Sequence, residues 1–174
     1  MAVVDSARKC LASVHRCAFD DPRLTLRLED GCAFMLNAAD HFDLIVLDLT
    51  DAGGPSAELY TPNFYRACAA RLTPTGALTL HVASPIAHPE RVRATIAQLR
   101  SAFPVVTPYL VSIPLYGGLW MMACCSHTLD PRQLSTLQVD RRIAQRGLTA
   151  LQYYNGDTHR AAMALPNFVR ALVA

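Results

Sequence analysis

Asp48 and Asp51 are the residues of this chain best placed, by type and spacing, to do chemistry. They stand in Asp48-Leu49-Thr50-Asp51, at the end of an apolar run over residues 42–48 (FDLIVLD). A carboxylate there can take a proton from a nucleophile or hold a cation. It can as readily cap a helix or join an ion pair, and Asp51, ahead of Gly53, can simply shape a turn. Other polar groups follow other apolar segments: Asp30-Gly31 after residues 23–28, His81 within 77–82, and Tyr116 and Trp120 around Gly117-Gly118. Asp30 before a glycine has a turn reading as good as a functional one. Tyr116 and Trp120 can be core packing. If the strands run parallel, these groups share one rim, and three carboxylates with a phenol suit a cationic ligand.

The elements that would position them follow from periodicity. Residues 3–16 read as a helix, with apolar residues at helical spacing. Residues 19–22 read as a turn and 23–28 (RLTLRL) alternate as a strand does. Residues 32–38 suit a short helix. The continuous apolar run 42–48 is the pattern of a strand buried on both faces. A loop over 49–60 leads to Thr61-Pro62, which opens a helix to about residue 72 as N-cap and first helical position. Residues 73–76 (TPTG) suggest a turn, 77–82 a strand, and 89–102 a helix. Residues 104–113 are extended, 114–118 a tight connection and 119–125 a last strand; 131–146 and 157–173 are helical, the latter interrupted at Pro166. Strands alternating with helices predict an α/β domain with a mainly parallel sheet, and the short connection makes the last two strands an antiparallel pair. In such sheets ligands bind beyond the carboxyl ends of the strands, which is where the rim lies.

Composition narrows the class. The chain has 174 residues, is 52% hydrophobic and 17% charged, and carries a formal charge of +2. That apolar content is a folded domain's, not a disordered chain's. Weak positive charge with no basic run argues against nucleic-acid binding. Every apolar stretch falls short of the ~20 residues a bilayer span needs. The opening MAVVDSARKC, with an acid and no apolar centre, is not expected to be a signal peptide. Six cysteines without C-x-x-C spacing read as free thiols in a reducing cytoplasm, and the histidines offer no metal-ligand spacing, so no metal is expected.

FDLIVLDLTDAGGPSAELYTPNFY resembles the signature of the polyamine aminopropyltransferases, the spermidine synthase family: a buried strand ending in D-x-[ST]-D, then a G-P-A loop and [LF]-[YFT]-x-x-x-[FY]-Y. AFDDPRLTLRLEDGCAFM, HVASPIAHPERV, SIPLYGGLWMMACCS and LQYYNGDTHRAAMALPNFVRALV are similar to further family stretches, in order and at consistent spacing. The resemblance covers essentially all of residues 1–174, which it implies to be a single, truncated catalytic domain. The implied fold is an incomplete Rossmann-like sheet of the S-adenosylmethionine-methyltransferase type.

The resemblance implies transfer of an aminopropyl group from decarboxylated S-adenosylmethionine, a co-substrate, to putrescine or a related amine, giving spermidine and methylthioadenosine. No cofactor is implied. Asp48 would be the base, and Asp51, Tyr116, Trp120 and His81 would bind the amine. Asp30 and Gly31 would hold the adenine, with Pro55 and Ala57 lining its pocket. Small polyamines would be the partners, the cytoplasm the compartment, and a homo-oligomer is compatible with the family.

Two departures stand out. His81 occupies a position where many family members have glutamine. The N-terminal β-domain, the first strand and the G-G-G-D-G donor loop have no counterpart here, and residues 1–38 are therefore expected to be poorly anchored or repacked. Two readings compete with the transferase: a catalytically inactive fragment or pseudoenzyme subunit of the same family, and an S-adenosylmethionine-dependent methyltransferase.

Overall fold

The computed structural model describes residues 2–37, 39–50, 54 and 56–174. Helices α1 (Ala2–Cys10), α2 (Ala12–His15) and α3 (Gly31–Asn37) precede strand β1 (Phe42–Leu47). Then come α4 (Pro62–Arg71), β2 (Leu72–Ala83), α5 (Pro89–Arg100), β3 (Val105–Ile113) and β4 (Gly118–Ser126). Helices α6 (Thr136–Gln145), α7 (Gly156–Met163) and α8 (Asn167–Leu172) complete the chain. The described strands form one sheet in the order β1-β2-β4-β3. β1 and β2 pair in parallel, while β4 lies antiparallel to both β2 and β3. β1, β2 and β3 therefore point one way and β4 alone returns, as the short β3–β4 connection requires.

One face of the sheet carries the core. Ile45 and Leu47 of β1, Leu78, Leu80 and Val82 of β2, and Met121, Ala123 and Cys125 of β4 meet Phe64, Tyr65 and Cys68 of α4 and Val92, Ile96 and Leu99 of α5. Met35 of α3 and Val169 of α8 close the cluster. Deleting a fully buried side chain such as Ile96 or Leu99 costs about 2–5 kcal/mol in a core of this kind. Local chemistry starts and stops the helices that supply it. The Thr61 hydroxyl accepts from the Phe64 amide at 3.3 Å and Pro62 takes the first helical position of α4. Capping boxes built by Ser135 with Gln138, and by Asn155 with Thr158, open α6 and α7.

The structure departs from the sequence pattern in five places. Residues 23–28 form no strand: Leu24, Leu26 and Leu28 are all exposed and no ladder pairs with them. A strand pattern without a neighbouring strand has no hydrogen bonds to hold it. β1 is buried on one face only, with Leu44 58% and Val46 60% exposed on the other. α7 covers that second face at β3, the far edge of the sheet, and among the described strands β1 pairs only with β2. The turn expected over 73–76 is instead a bulge inside β2. Between Phe42↔Leu72 and Leu44↔Ala77 the two strands lose register. Glycine is needed there, because a Cβ on Gly76 would come within 2.8 Å of the Phe42 carbonyl oxygen. The helix expected over 3–16 breaks at Leu11, and neither α1 nor α2 has a buried residue. The helix expected over 131–146 begins as a 3-10 turn, Pro131–Gln133, before α6.

Beyond β4, Asp130 ties the chain back to the sheet. It accepts from the Thr107 hydroxyl at 3.2 Å, and from the Arg132 amide at 3.0 Å and guanidinium at 2.8 Å. The Arg132 hydrogen bond is the main cause that holds the Asp130 carboxyl below its ordinary range. His159, buried beneath, contacts the Pro131 carbonyl at 2.9 Å and the Tyr154 hydroxyl at 2.8 Å. All six cysteines are free thiols, and burial pushes Cys68 up to about 12.

Two measurements test this description. Amide hydrogen exchange at residues 25–28 is expected to be fast beside a protected β2; strong protection there contradicts the absence of a ladder. A depressed carboxyl stabilises the fold above its unfolded value, and that contribution is lost as pH falls through the folded value. Wild-type stability should therefore fall below about pH 4 more steeply than that of Asp130→Asn, read by denaturant midpoints.

Candidate active site

The parallel register fixes what faces what. Leu47 stands opposite Leu80, so Asp48, the next residue, emerges beside His81 at the carboxyl end of the sheet. β4 runs back past the same end and brings Trp120 and Met122 alongside, with Met122 paired to His81. The β3–β4 connection supplies Tyr116 from a 3-10 turn, Pro114–Tyr116. Gly117 and Gly118 allow that turn, at φ of 82° and 105°. Asp48, Leu49, Thr50, His81, Ile113, Tyr116, Trp120 and Met122 line a cleft of about 540 Å³. Four residues marked in the sequence, Asp48, His81, Tyr116 and Trp120, thus meet in one place.

Among the described residues the cleft has one carboxylate, Asp48, and an aromatic wall. Asp48 is exposed and has no hydrogen-bond or ion-pair partner among the described residues, so it is free to receive a ligand. The rings of Tyr116 and Trp120 lie 5.0 Å apart, tilted by 52°, and His81 stands 6.4 Å from Trp120. Aromatic faces beside a carboxylate favour a cation carried on an apolar chain. His81 Nε2 lies 2.6 Å from the Leu49 carbonyl oxygen and 3.2 Å from the Tyr60 hydroxyl. The Tyr60 hydroxyl donates to the Thr50 carbonyl at 3.0 Å, and Thr50 and Ser56 hydroxyls meet at 2.8 Å. Tyr60 and Ser56 are not among the site residues named from the sequence, although Tyr60 fills the [YFT] position of the signature; only the fold turns it toward His81.

Asp30, Gly31 and Ala57 lie elsewhere. Asp30 accepts from the Ala33 amide at 2.8 Å, capping α3, so the turn reading describes its present bond. It also lines a second hollow, of about 370 Å³, with Arg27, Glu29, Ala33, Phe34, Asn37, Ala39 and Asp40. Beside it a Cβ on Gly31 would meet nothing within 4 Å, which leaves the backbone there open to close approach. Ala57, exposed, begins the 3-10 turn Ala57–Tyr60, which contacts α3. The Cys32 thiol is pushed up by burial first, then by the negative charges of Asp30 and Glu58. Asp51 and Pro55 lie outside the described residues.

Among the described residues no helix is long and apolar enough to cross a membrane. Residues 1–134 match the spermine/spermidine synthase domain. A polyamine aminopropyltransferase of Nitrosomonas europaea is 51% identical over 172 residues, covering 99% of this chain and 53% of the relative. One from Hyperthermus butylicus is 40% identical, over 99% of this chain and 57% of the relative. Among solved structures, spermidine synthase from Thermotoga maritima superposes with a TM-score of 0.85 at 30% identity, over 99% of this chain and 57% of that one. A spermidine synthase in complex with the transition-state analogue AdoDATO superposes with a TM-score of 0.87 at 29% identity, over 99% and 58%. The chain thus spans little more than half the length of these relatives. Human methyltransferase-like protein 13, with a TM-score of 0.55 at 19% identity, shares the fold.

Trp120 is the single tryptophan of the chain, so its fluorescence reports on this cleft. Titration with a diamine should change that emission, and Asp48→Asn should weaken the response by about tenfold, the scale of one charged hydrogen bond. Emission indifferent to diamine, or a response unaltered by Asp48→Asn, contradicts a cationic ligand in the cleft.

Proposed function

The chain belongs to the spermine/spermidine synthase family, and on that premise we propose that residues 1–174 are a catalytic domain transferring an aminopropyl group from decarboxylated S-adenosylmethionine to putrescine or a related amine. The observation that carries this reading is the convergence of Asp48, His81, Tyr116 and Trp120 on one cleft. The products would be the elongated polyamine and methylthioadenosine.

In this reading Asp48 is the base. The acceptor is an ammonium ion in neutral water and must lose a proton before it can attack. An unpartnered carboxylate at the mouth of the cleft can take that proton and pass it to solvent, since Asp48 is exposed. The freed lone pair then forms a C–N bond with the carbon beside the sulfonium. The C–S bond breaks, its electron pair stays on sulfur, and a neutral thioether leaves. Because sulfur is positively charged from the start, most of the rate comes from holding nitrogen, carbon and sulfur in line.

Asp51 would hold the far ammonium. Tyr116, Trp120 and His81 would form the wall along the methylene chain, the aromatic faces favouring its charged end. Asp30 and Gly31 would receive the adenine, with Pro55 and Ala57 beside it; this asks Asp30 to bind while it caps α3, and the carboxylate has a second oxygen for that. No cofactor enters the reaction as written. Free thiols are compatible with a reducing cytoplasm as its setting, and small diamines are its partners. A homo-oligomer is left to measurement by sedimentation.

The test is to incubate the purified, folded chain with decarboxylated S-adenosylmethionine and putrescine and to look for methylthioadenosine by mass spectrometry. The expected result is product with wild type and a loss of at least about a hundredfold in Asp48→Asn, typical of a removed general base. Folded wild-type protein without product favours the reading of a non-catalytic member.

A further inference from the structure

We propose that Tyr60 and His81 are positioning residues: together they clamp the backbone of Leu49 and Thr50, the two residues between Asp48 and Asp51. The proposal deepens the transferase reading and rests on it for the effect on amine binding, but the clamp is a matter of hydrogen bonds and stands without it.

The geometry fixes which atoms donate. A carbonyl oxygen only accepts, so the 2.6 Å contact between His81 Nε2 and the Leu49 oxygen requires the hydrogen to be on Nε2. A bare Nε2 would set its lone pair against the carbonyl's. The Tyr60 hydroxyl spends its own hydrogen on the Thr50 carbonyl at 3.0 Å. Its oxygen is then left to share the His81 N–H at 3.2 Å. The other ring nitrogen, Nδ1, is out of reach of water and has no partner among the described residues. A hydrogen placed there would have no acceptor, which disfavours the other tautomer a second time.

The consequence is mechanical. Two adjacent carbonyls are held from two different elements, β2 through His81 and the turn before α4 through Tyr60. The Thr50 hydroxyl adds a third tie to Ser56 at 2.8 Å. The loop that carries Asp48 is therefore referenced to the sheet. The same imidazole stands 6.4 Å from Trp120 in the aromatic wall, so one side chain sets the spacing between carboxylate and wall. Where the amine nitrogen sits relative to the Asp48 oxygens then depends on a histidine that need not touch the amine.

The experiment labels the histidines with nitrogen-15 and the Leu49 and Thr50 carbonyls with carbon-13, and reads the chain by NMR at neutral pH. The expected spectrum shows His81 with its hydrogen on Nε2, and Tyr60→Phe moves both carbonyl resonances and speeds exchange of the Nε2 hydrogen several-fold. A hydrogen on Nδ1 alone, or carbonyl resonances unmoved by Tyr60→Phe, overturns the clamp. Positioning is then read by putrescine titration of Trp120 emission. His81→Leu and Tyr60→Phe should each bind about 3–10-fold more weakly, the worth of a neutral hydrogen bond. His81→Gln, which keeps an N–H of similar reach, should bind within about threefold of wild type. His81→Leu binding as wild type does, or His81→Gln losing as much as His81→Leu, overturns the positioning role. Folded wild type that binds no diamine overturns the proposed function, and the imidazole and carbonyl resonances still decide the clamp.

Discussion

The parallel register of β1 on β2 is the constraint on which the rest of the site depends. Pairing of Leu47 with Leu80 puts the end of β1 close to the carboxyl end of β2. Asp48 then has nowhere to go but over the end of β1, next to His81. A slip of one residue would send Ile45 and Leu47 out of the core and turn Leu44 and Val46 into it. The bulge at Gly76 protects this register. It absorbs the extra residues of β2 before the pairing that matters begins, and only a glycine lets the Phe42 carbonyl approach so closely.

Burial is distributed unevenly about that pairing. The face carrying Ile45, Leu47, Leu78 and Leu80 is sealed by α4 and α5. The other is covered at β3 and leaves Leu44 and Val46 in water. The side chains of the candidate site gather at the end of the sheet. There a strand end, a returning strand and a short turn meet without a helix to fill the gap. His81 and Trp120 each leave a ring nitrogen buried without a partner among the described residues. Such groups cost free energy in a core, and here they occur beside the cleft.

The donor and acceptor sides of the reading differ in how well the described residues assemble them. Asp48, His81, Tyr116 and Trp120 share a cleft. Asp30 and Gly31 sit at the head of α3, anchored to the core chiefly through Met35. The N-terminal helices before them bury nothing.

Much of this was legible in the sequence. The run FDLIVLD, the Thr61-Pro62 cap and the interruption at Pro166 each have a local physical cause, and each gave its element within a residue or two. The family could be read too, because D-L-T-D and four further stretches keep their order over the whole chain. What the sequence could not decide was whatever needed a neighbour. Residues 23–28 alternate as a strand does, yet a strand exists only where another strand accepts its hydrogen bonds. Residues 42–48 look buried on both faces, yet only packing shows which face is covered. TPTG reads as a turn, and became a bulge because β1 lay against it. Tyr60 illustrates the limit best: its hydroxyl reaches His81, 21 residues away in sequence, and no periodicity or spacing records a contact made only when a turn folds over the end of a sheet.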